Sequence, residues 1–257
     1  MSFIKVNGIA FHTQVLGRGL PVVMLHGLLV GNLATWYFTV APRLARRHQV
    51  LLYDLRGHGR SQRPSSGYGV DSMAGDLEAL LDRFSAATPG PVTLIGHSYG
   101  GLIALRFALE HPERVARLAM VETPLPPSQP DDLGILASRT PEELVSALPA
   151  ALQRIVGKSS ARNRRGRRLL ESLRALTMHT SLMDDIGAEP DISDDELAQL
   201  ECPLLSVYGE ASSCRPTGER LARLLPKGVH CTLPGGHYLP VEAPGPLSEC
   251  LERFIDG

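Results

Sequence analysis

The sequence predicts an α/β fold: a mostly parallel, twisted sheet with helices on both faces. Short apolar segments, typical of buried strands, alternate with segments of helical periodicity along most of the 257 residues. Such alternation favours parallel strands that are joined by helices. One region interrupts it, because residues 124–200 contain helical patterns but no convincing strand. We therefore expect a core formed by residues 1–123 and 201–257, with residues 124–200 inserted as a helical lid above the carboxyl ends of the strands.

Eight apolar segments are the predicted strands. Asn7-Gly8 is a hairpin signal between the first two. The strands are expected at residues 3–6, 9–15, 21–25, 50–53, 91–95, 115–121, 204–208 and 229–233. Helical spacing of apolar residues predicts helices at residues 34–47, 70–84, 102–110, 216–225 and 246–255.

Composition narrows the classes of partner. The net charge of −1 offers no electrostatic basis for binding nucleic acid or a membrane surface. There is no apolar run of transmembrane length and no signal-peptide pattern, so we expect a cytoplasmic protein. The four cysteines lack metal-binding spacing and are predicted to be free, mostly buried thiols; they are Cys202, Cys214, Cys231 and Cys250. No metal site and no organic cofactor are expected.

Ser98 is the candidate nucleophile. It lies in the sequence Gly-His-Ser-Tyr-Gly-Gly at residues 96–101, between a predicted strand and a predicted helix. A strand, a sharp G-x-S-x-G turn and a helix lift the serine hydroxyl above the sheet and point a helix N-terminus at it. Gly96 and Gly100 are needed there because a Cβ atom would collide with the neighbouring strand or helix. A tight turn in an unrelated α/β protein gives the same local pattern. The remaining motifs must therefore distinguish a nucleophile turn from such an unrelated turn.

His237 is the candidate base. It lies in Pro-Gly-Gly-His-Tyr-Leu-Pro at residues 234–240, between the last predicted strand and the last predicted helix. A serine nucleophile needs such a base, and a glycine-flanked histidine at a strand end can reach Ser98. The alternative is an ordinary histidine in a surface loop.

Two backbone N–H groups are candidates for stabilising an oxyanion. One belongs to Tyr99, directly after the candidate nucleophile, and the other to Leu28, in the loop after the strand at residues 21–25. Gly27 allows this loop to approach a substrate closely. His26 has two interpretations, a base or a residue that fixes the loop by hydrogen bonding, and the second is favoured.

Four motifs in order resemble the α/β-hydrolase superfamily over nearly the whole chain. They are His26-Gly27, residues 54–61 (Asp-Leu-Arg-Gly-His-Gly-Arg-Ser), residues 96–101, and residues 235–237 (Gly-Gly-His) with Glu-Ala-Pro at 242–244. The resemblance implies a serine hydrolase that works through an acyl-enzyme without a metal or cofactor. Ser98 separates the chain from the dehalogenase and epoxide-hydrolase branches, which use a carboxylate nucleophile.

The acid of the implied triad departs from the commonest pattern. Most relatives carry it in a Gly-x-x-Asp turn, but the matching turn from Gly209 has Ser212 at the Asp position. Two glutamates remain, Glu122 after the strand at residues 115–121 and Glu210. We favour Glu122, because a carboxylate at the end of this strand can approach His237. The arrangement resembles that of some dehalogenases and of some polyketide-releasing thioesterases, which place their acid at this strand end. The alternatives are Glu210 and a purely structural Glu122, and Asp54 is expected to be structural.

The lid has segregated charges. The basic residues are Arg154, Lys158, Arg162, Arg164, Arg165, Arg167, Arg168 and Arg174, and the acidic ones are Asp184, Asp185, Glu189, Asp191, Asp194, Asp195 and Glu196. One interpretation is that the two groups form solvated faces whose charges partly neutralise each other. The other is that the arginines bind a phosphate-bearing partner such as the phosphopantetheine arm of an acidic carrier protein. The apolar lid residues line an acyl pocket or form the lid's own core; they are Leu133, Ile135, Leu136, Leu144, Leu148, Leu152, Leu176, Met178, Leu182 and Met183.

Together these features predict an ester or thioester hydrolase with the triad Ser98, His237 and Glu122. Its expected partner is a small acyl substrate, free or bound to a carrier protein, and one hypothesis is a thioesterase that releases a polyketide or another acyl chain. The alternatives are a C–C hydrolase or lyase with the same triad, and a non-catalytic small-molecule receptor.

Overall fold

A single mixed sheet of eight strands forms the centre of the molecule. The computed structural model describes residues 2–85, 90–125, 139–146 and 164–257. The strands are β1 (Ser2–Val6), β2 (Ile9–Leu16), β3 (Leu20–Leu25), β4 (His48–Tyr53), β5 (Val92–His97), β6 (Val115–Val121), β7 (Leu204–Gly209) and β8 (Val229–Leu233), in the order β1-β2-β4-β3-β5-β6-β7-β8. Only the pairs β1–β2 and β2–β4 are antiparallel. The predicted mostly parallel sheet is confirmed.

Helices cover both faces of this sheet. They are α1 (Ala34–Tyr37), α2 (Ala41–Leu44), α3 (Val70–Ser85), α4 (Tyr99–Glu110), α5 (Pro141–Ser146), α6 (Arg164–Met178), α7 (Leu182–Gly187), α8 (Asp194–Leu197), α9 (Arg215–Leu224), α10 (Leu239–Glu242) and α11 (Pro244–Asp256). One apolar layer joins the sheet to α3 and α4 through residues such as Leu77 and Leu102. The opposite layer joins it to α1, α2 and α11 through Trp36, Leu44 and Leu251. Burial of these two apolar faces from water stabilises the fold.

Two helix predictions need correction. Residues 34–47 were expected to form one helix but form α1 and α2, with Pro42 in the first turn of α2. Proline lacks the N–H that a helix interior requires, so it fits only in a first turn. The last helix was expected at 246–255 but begins at Pro244, and the short helix α10 precedes it.

The described residues of the predicted lid, 139–146 and 164–200, form α5 to α8 and contain no strand. Of the ten apolar lid residues named from the sequence, Leu144, Leu176 and Leu182 are buried, Met183 is partly buried, and Met178 is 67% exposed. Five others lie outside the described residues: Leu133, Ile135, Leu136, Leu148 and Leu152. No helix within the described part of the chain is long and apolar enough to span a membrane.

Acidic residues attach this insertion to the core. Asp185 accepts a hydrogen bond of 2.7 Å from the N–H of Tyr68. Glu189 accepts bonds from the N–H of Val70 at 2.6 Å and from the hydroxyl of Tyr99 at 2.7 Å. Of the salt bridges between described residues, none joins the acidic run to the basic run. Asp185 and Glu189 therefore bind residues outside the predicted lid.

Candidate active site

Ser98 lies at a sharp turn between β5 and α4, as predicted. Its φ of 54° is in the left-handed region, and its N–H donates to the carbonyl of Val121 at 2.9 Å. A Cβ on Gly100 would lie 2.6 Å from the carbonyl oxygen of His26, and one on Gly96 would collide with the first turn of α4. Only glycine fits these two positions, so the strained serine is held between the sheet and α4.

His237 lies between β8 and α10, with its ring against Ser98. The distance from its Nε2 to Ser98 Oγ is 3.0 Å, and its Nδ1 lies 3.5 Å from Oε2 of Glu122. Its carbonyl accepts a hydrogen bond of 2.7 Å from Nε2 of His97. Burial lowers the pKa of His237, but its interactions with Cys214 and Glu122 outweigh burial and raise that pKa above its ordinary value. The structure therefore brings together the three residues proposed from the sequence.

Glu122, and not Glu210, faces His237. It follows β6 with a φ of 54°, and its side chain is fully buried, whereas Glu210 is exposed. Its carboxyl group accepts hydrogen bonds from the N–H of Gly209 and the hydroxyl of Ser212. Ser212 therefore occupies the expected position of the acid and binds a carboxyl group that comes from the neighbouring strand.

Cys214 is the member of this cluster that sequence reasoning missed. Its Sγ lies 3.5 Å from Nδ1 of His237, and its N–H donates to Ser212 Oγ at 3.0 Å. Its side chain is 4% exposed, and it immediately precedes α9. The sequence identified it only as one of four buried thiols, because nothing in the spacing of residues 209–214 indicates that it faces His237.

The loop that carries Leu28 lies directly against Ser98. A Cβ on Gly27 would be 3.0 Å from Cβ of Ser98, so the loop reaches the turn only because this residue has no side chain. Among the backbone hydrogen bonds between described residues, none outside the regular elements is donated by the N–H of Leu28 or Tyr99. Tyr99 is the first residue of α4, where a helix leaves its N–H groups without an intrahelical partner. The N–H groups of Leu28 and Tyr99 therefore remain the candidate oxyanion donors.

Buried, neutral histidines fix that loop. Nδ1 of His26 bonds the carbonyl of Gly27 at 2.7 Å, and its Nε2 accepts from the N–H of Leu55 at 3.0 Å. Nε2 of His58 accepts a 2.8 Å bond from the N–H of Leu29, whose φ is 67°. Burial lowers the pKa of His26, and it lowers the pKa of His58 to about 3. The hydrogen-bonding interpretation of His26 is confirmed.

His97, His12 and Asp54 also hold loops around the candidate site. Burial, followed by the neighbouring His237, lowers the pKa of His97 to about 3, so His97 is neutral when it holds the His237 loop. Asp54 lies 2.7 Å from Nδ1 of His12 and accepts a 2.7 Å bond from the N–H of Leu33. Asp54 thus fixes loops, as predicted. Sequence reasoning singled out neither His58 nor His97, although both flank glycines in the motifs that carry the resemblance.

The family follows from comparison with known proteins. A family model described as alpha/beta hydrolase fold matches residues 21–188. The chain belongs to the α/β-hydrolase superfamily. Over 241 residues it is 32% identical to the pimeloyl-[acyl-carrier protein] methyl ester esterase of Chromobacterium violaceum, across 88% of this chain and 90% of that protein. It is 38% identical over 121 residues to the 2-hydroxy-6-oxo-2,4-heptadienoate hydrolase of Pseudomonas putida, across 46% of this chain and 42% of that one.

Solved structures agree with this family. A thermophilic esterase from Thermogutta terrifontis has 25% identity and a TM-score of 0.75, covering 100% of this chain and 98% of the other. Several other relatives match a shorter part of this chain than the esterase of Chromobacterium violaceum does. This α/β-hydrolase spans only 34% of the length of an uncharacterized protein of Mycobacterium tuberculosis to which it is 35% identical over 121 residues.

An apolar cluster from the insertion covers the candidate site of this α/β-hydrolase. Val145 of α5 and Leu173 of α6 are buried against Leu29, Val30 and Tyr238. Leu29 follows the candidate oxyanion residue, and Tyr238 follows the candidate base. Val145 and Leu173 therefore place apolar side chains beside both halves of the candidate site.

The acid side of the site also groups three possible metal ligands. One donor atom each from Glu122, Cys214 and His237 lies within 4.8 Å of the other two. The sequence predicted no metal site, because these residues come from three separate turns, after β6, after β7 and after β8. A spacing motif within one turn, the usual sequence signal, is therefore missing.

Proposed function

We propose that this α/β-hydrolase cleaves an ester or thioester with Ser98 as nucleophile, His237 as base and Glu122 as acid. The observation that carries the proposal is the 3.0 Å distance from His237 Nε2 to Ser98 Oγ, with the buried carboxyl group of Glu122 on the other side of the ring. Nucleophile, base and orienting acid in this order are what serine-based acyl transfer requires.

The chemistry follows from these positions. Nε2 of His237 takes the proton of Ser98 as Oγ attacks the acyl carbon, and Glu122 stabilises the resulting imidazolium. The N–H groups of Leu28 and Tyr99 bind the oxyanion of the tetrahedral intermediate. The intermediate collapses, and the leaving alcohol or thiol receives the proton from Nε2. Water, deprotonated by His237, then attacks the acyl-enzyme, and the acid leaves with Ser98 restored.

A carrier-bound acyl group is the proposed form of the substrate. The relative that aligns over most of both chains is named as an esterase of an acyl-carrier-protein ester. On α6, Arg164, Arg167 and Arg168 are exposed. The acidic residues Asp185 and Glu189 bind Tyr68 and Val70 instead of these arginines. Exposed guanidinium groups suit the phosphate and acidic surface of a carrier protein. The apolar cluster around Leu173 suits the acyl chain.

Covalent labelling tests the nucleophile. A fluorophosphonate probe should label the wild-type protein at Ser98 and should not label Ser98→Ala. The same proteins are then assayed on p-nitrophenyl esters and on acyl thioesters of increasing chain length. Absence of labelling in a folded wild-type protein would favour the receptor hypothesis and contradict the proposed hydrolase.

A charge-reversal variant tests the carrier. Arg167→Glu/Arg168→Glu should lower kcat/KM for an acyl group on its carrier protein at least tenfold, and leave the free thioester nearly unchanged. Arg223→Glu, which changes an exposed arginine on α9, is the matched control. Equal losses on both substrates would contradict carrier recognition by α6.

C–C hydrolysis is the second candidate. One relative, which is 38% identical over its aligned part compared with 32% for the esterase, is named as a 2-hydroxy-6-oxo-2,4-heptadienoate hydrolase. The alignment covers less than half of either protein. A substrate of that class is therefore included in the panel. Turnover of it faster than of every ester and thioester would replace the proposed function with C–C cleavage.

A further inference from the structure

Cys214, on the Nδ1 side of His237, has no role in the proposed hydrolysis. A serine triad needs only one acid beside Nδ1, and Glu122 occupies that place. Cys214 adds a sulfur at 3.5 Å from the same nitrogen. We infer that Glu122, Cys214 and His237 bind a zinc ion that inhibits the enzyme by occupying Nδ1 of the base.

The donor spacing matches a tetrahedral zinc site. Zinc lies about 2.3 Å from a thiolate sulfur and about 2.0–2.2 Å from imidazole nitrogen or carboxylate oxygen. At a tetrahedral angle these bond lengths separate sulfur from nitrogen by about 3.6 Å and nitrogen from oxygen by about 3.4 Å. The observed separations from His237 Nδ1 are 3.5 Å to Cys214 Sγ and 3.5 Å to Glu122 Oε2. The third separation, between Cys214 Sγ and the carboxyl group of Glu122, is within 4.8 Å, so side-chain adjustment around an ion would bring the three donors to zinc-bond distances.

The donor types and their surroundings also favour zinc. A sulfur, an imidazole nitrogen and a carboxylate oxygen form a mixed set that zinc accepts, whereas magnesium and calcium prefer oxygen alone. Glu122 is oriented by the N–H of Gly209 and the hydroxyl of Ser212, which supplies the outer hydrogen bonds that metal ligands need. The His237 side chain is 31% exposed, so the cluster borders solvent on the side of this ring, and water is the expected fourth ligand.

Zinc at this position disables the base, a consequence that rests on the proposed function. In the active form Nδ1 carries the ring proton and Nε2 accepts from Ser98. When Nδ1 donates its lone pair to zinc, the ring proton moves to Nε2, and the thiol proton of Cys214 passes to solvent. The ring stays neutral, but Nε2 then donates toward Ser98 Oγ and can no longer remove its proton.

Binding is tested independently of hydrolysis. The apo-protein, freed of metal with a chelator, is titrated with zinc chloride in competition with a chromogenic chelator, and separately with cobalt(II). Wild type should bind one zinc ion with micromolar affinity and give a thiolate-to-cobalt absorption band. Cys214→Ala and the more conservative Cys214→Ser should weaken zinc at least tenfold and lose the band. Cys202→Ser, which changes a cysteine outside the cluster, should retain both.

Inhibition is then measured as the rate of substrate hydrolysis or of covalent labelling at Ser98. The rate of each variant with zinc is compared with the rate of the same variant without metal. Zinc should slow the wild type and Cys202→Ser at least tenfold, reversibly with EDTA, and should slow the Cys214 variants much less. Equal zinc affinity in wild type and in the Cys214 variants, or no cobalt–thiolate band, would overturn the site. If Ser98 proves unreactive while binding behaves as expected, the metal site stands and the proposed hydrolase fails.

Discussion

The end of β6 and the turn after β7 are adjacent in the sheet. In most proteins that the chain resembles, the turn after β7 carries the acid beside the histidine. Here the proposed acid follows β6, and the turn after β7 holds its hydrogen-bond donors. Val121 pairs with Val207, so Glu122 lies beside the residues that follow β7. The β6 end supplies the carboxyl group, and the β7 turn supplies its donors, Gly209 and Ser212. The position of a carboxyl group relative to His237, and not the strand that carries it, therefore identifies Glu122 as the proposed acid.

Burial explains why both regions are needed. A carboxyl group removed from water costs free energy unless hydrogen bonds replace its hydration. Glu122 is fully buried, and the two donors from the β7 turn replace part of that hydration. The hydroxyl of Ser212 thus complements an acid from the next strand, whereas an aspartate there would place a second negative charge against it.

Removal of the charge at the β6 end should have the largest effect. Glu122→Gln should lower kcat by roughly 10³–10⁴-fold, the scale seen when a triad acid is replaced by its amide. The matched variant Glu210→Gln should stay within about twofold of wild type, because Glu210 is exposed and away from His237. Steady-state kinetics on the best ester, with circular dichroism as the folding control, make the comparison. A larger loss in Glu210→Gln would reverse the assignment.

Transfer of the acid to the β7 turn should recover part of this loss. In Glu122→Gln/Ser212→Asp, the carboxyl group expected beside Nδ1 of His237 comes from residue 212, the position of the acid in the Gly-x-x-Asp turn of most proteins that the chain resembles. We expect kcat at least about tenfold above Glu122→Gln alone, since a charge near Nδ1 again stabilises the imidazolium. Ser212→Asp alone should be slower than wild type, because two acids then share one site. A double variant no faster than Glu122→Gln, with intact folding, would count against the shared role of the two regions.

Loss of the donor at the β7 turn should have a smaller effect. Ser212→Ala leaves one oxygen of Glu122 without its hydroxyl partner, and a hydrogen bond to a charged group contributes about 1.5–3 kcal/mol to stability. We expect a several-fold lower kcat and a lower Tm. Ser213→Ala, at the exposed neighbouring position, is the control and should change neither. An unchanged Tm in Ser212→Ala would show that this contact does not stabilise Glu122.

The pH profile gives the smallest but most specific signal. His237 must be neutral to act as base, so kcat/KM falls as pH decreases through its pKa. Cys214 and Glu122 raise that pKa in the folded protein. In Glu122→Gln the imidazolium loses a stabilising charge, so its pKa falls and the acid limb moves to lower pH. The profiles are measured with EDTA present. An acid limb at the same or a higher pH in Glu122→Gln would contradict the interaction between Glu122 and His237.

Local signals explain what could be predicted from the sequence. Ser98 and His237 each lie in a glycine-rich turn beside an apolar strand, so spacing alone places them at the same edge of a parallel sheet. Glu122 could be proposed because it directly follows a predicted strand. Cys214 could not, since it faces His237 only through the packing of α9 on β7. The break between α1 and α2 depended on Pro42, whose effect the apolar spacing of residues 34–47 concealed.

The proton on Nδ1 of His237 reports most directly on the central claim that Glu122 is the acid partner. Proton NMR of protein with ¹⁵N-labelled histidine, in metal-free buffer, should show a low-field resonance coupled to this nitrogen, as expected for an N–H that donates to a carboxylate. Glu210→Gln should keep the resonance, whereas Glu122→Gln should lose it or move it to higher field. Its persistence unchanged in Glu122→Gln, or its loss in Glu210→Gln, would contradict the assignment.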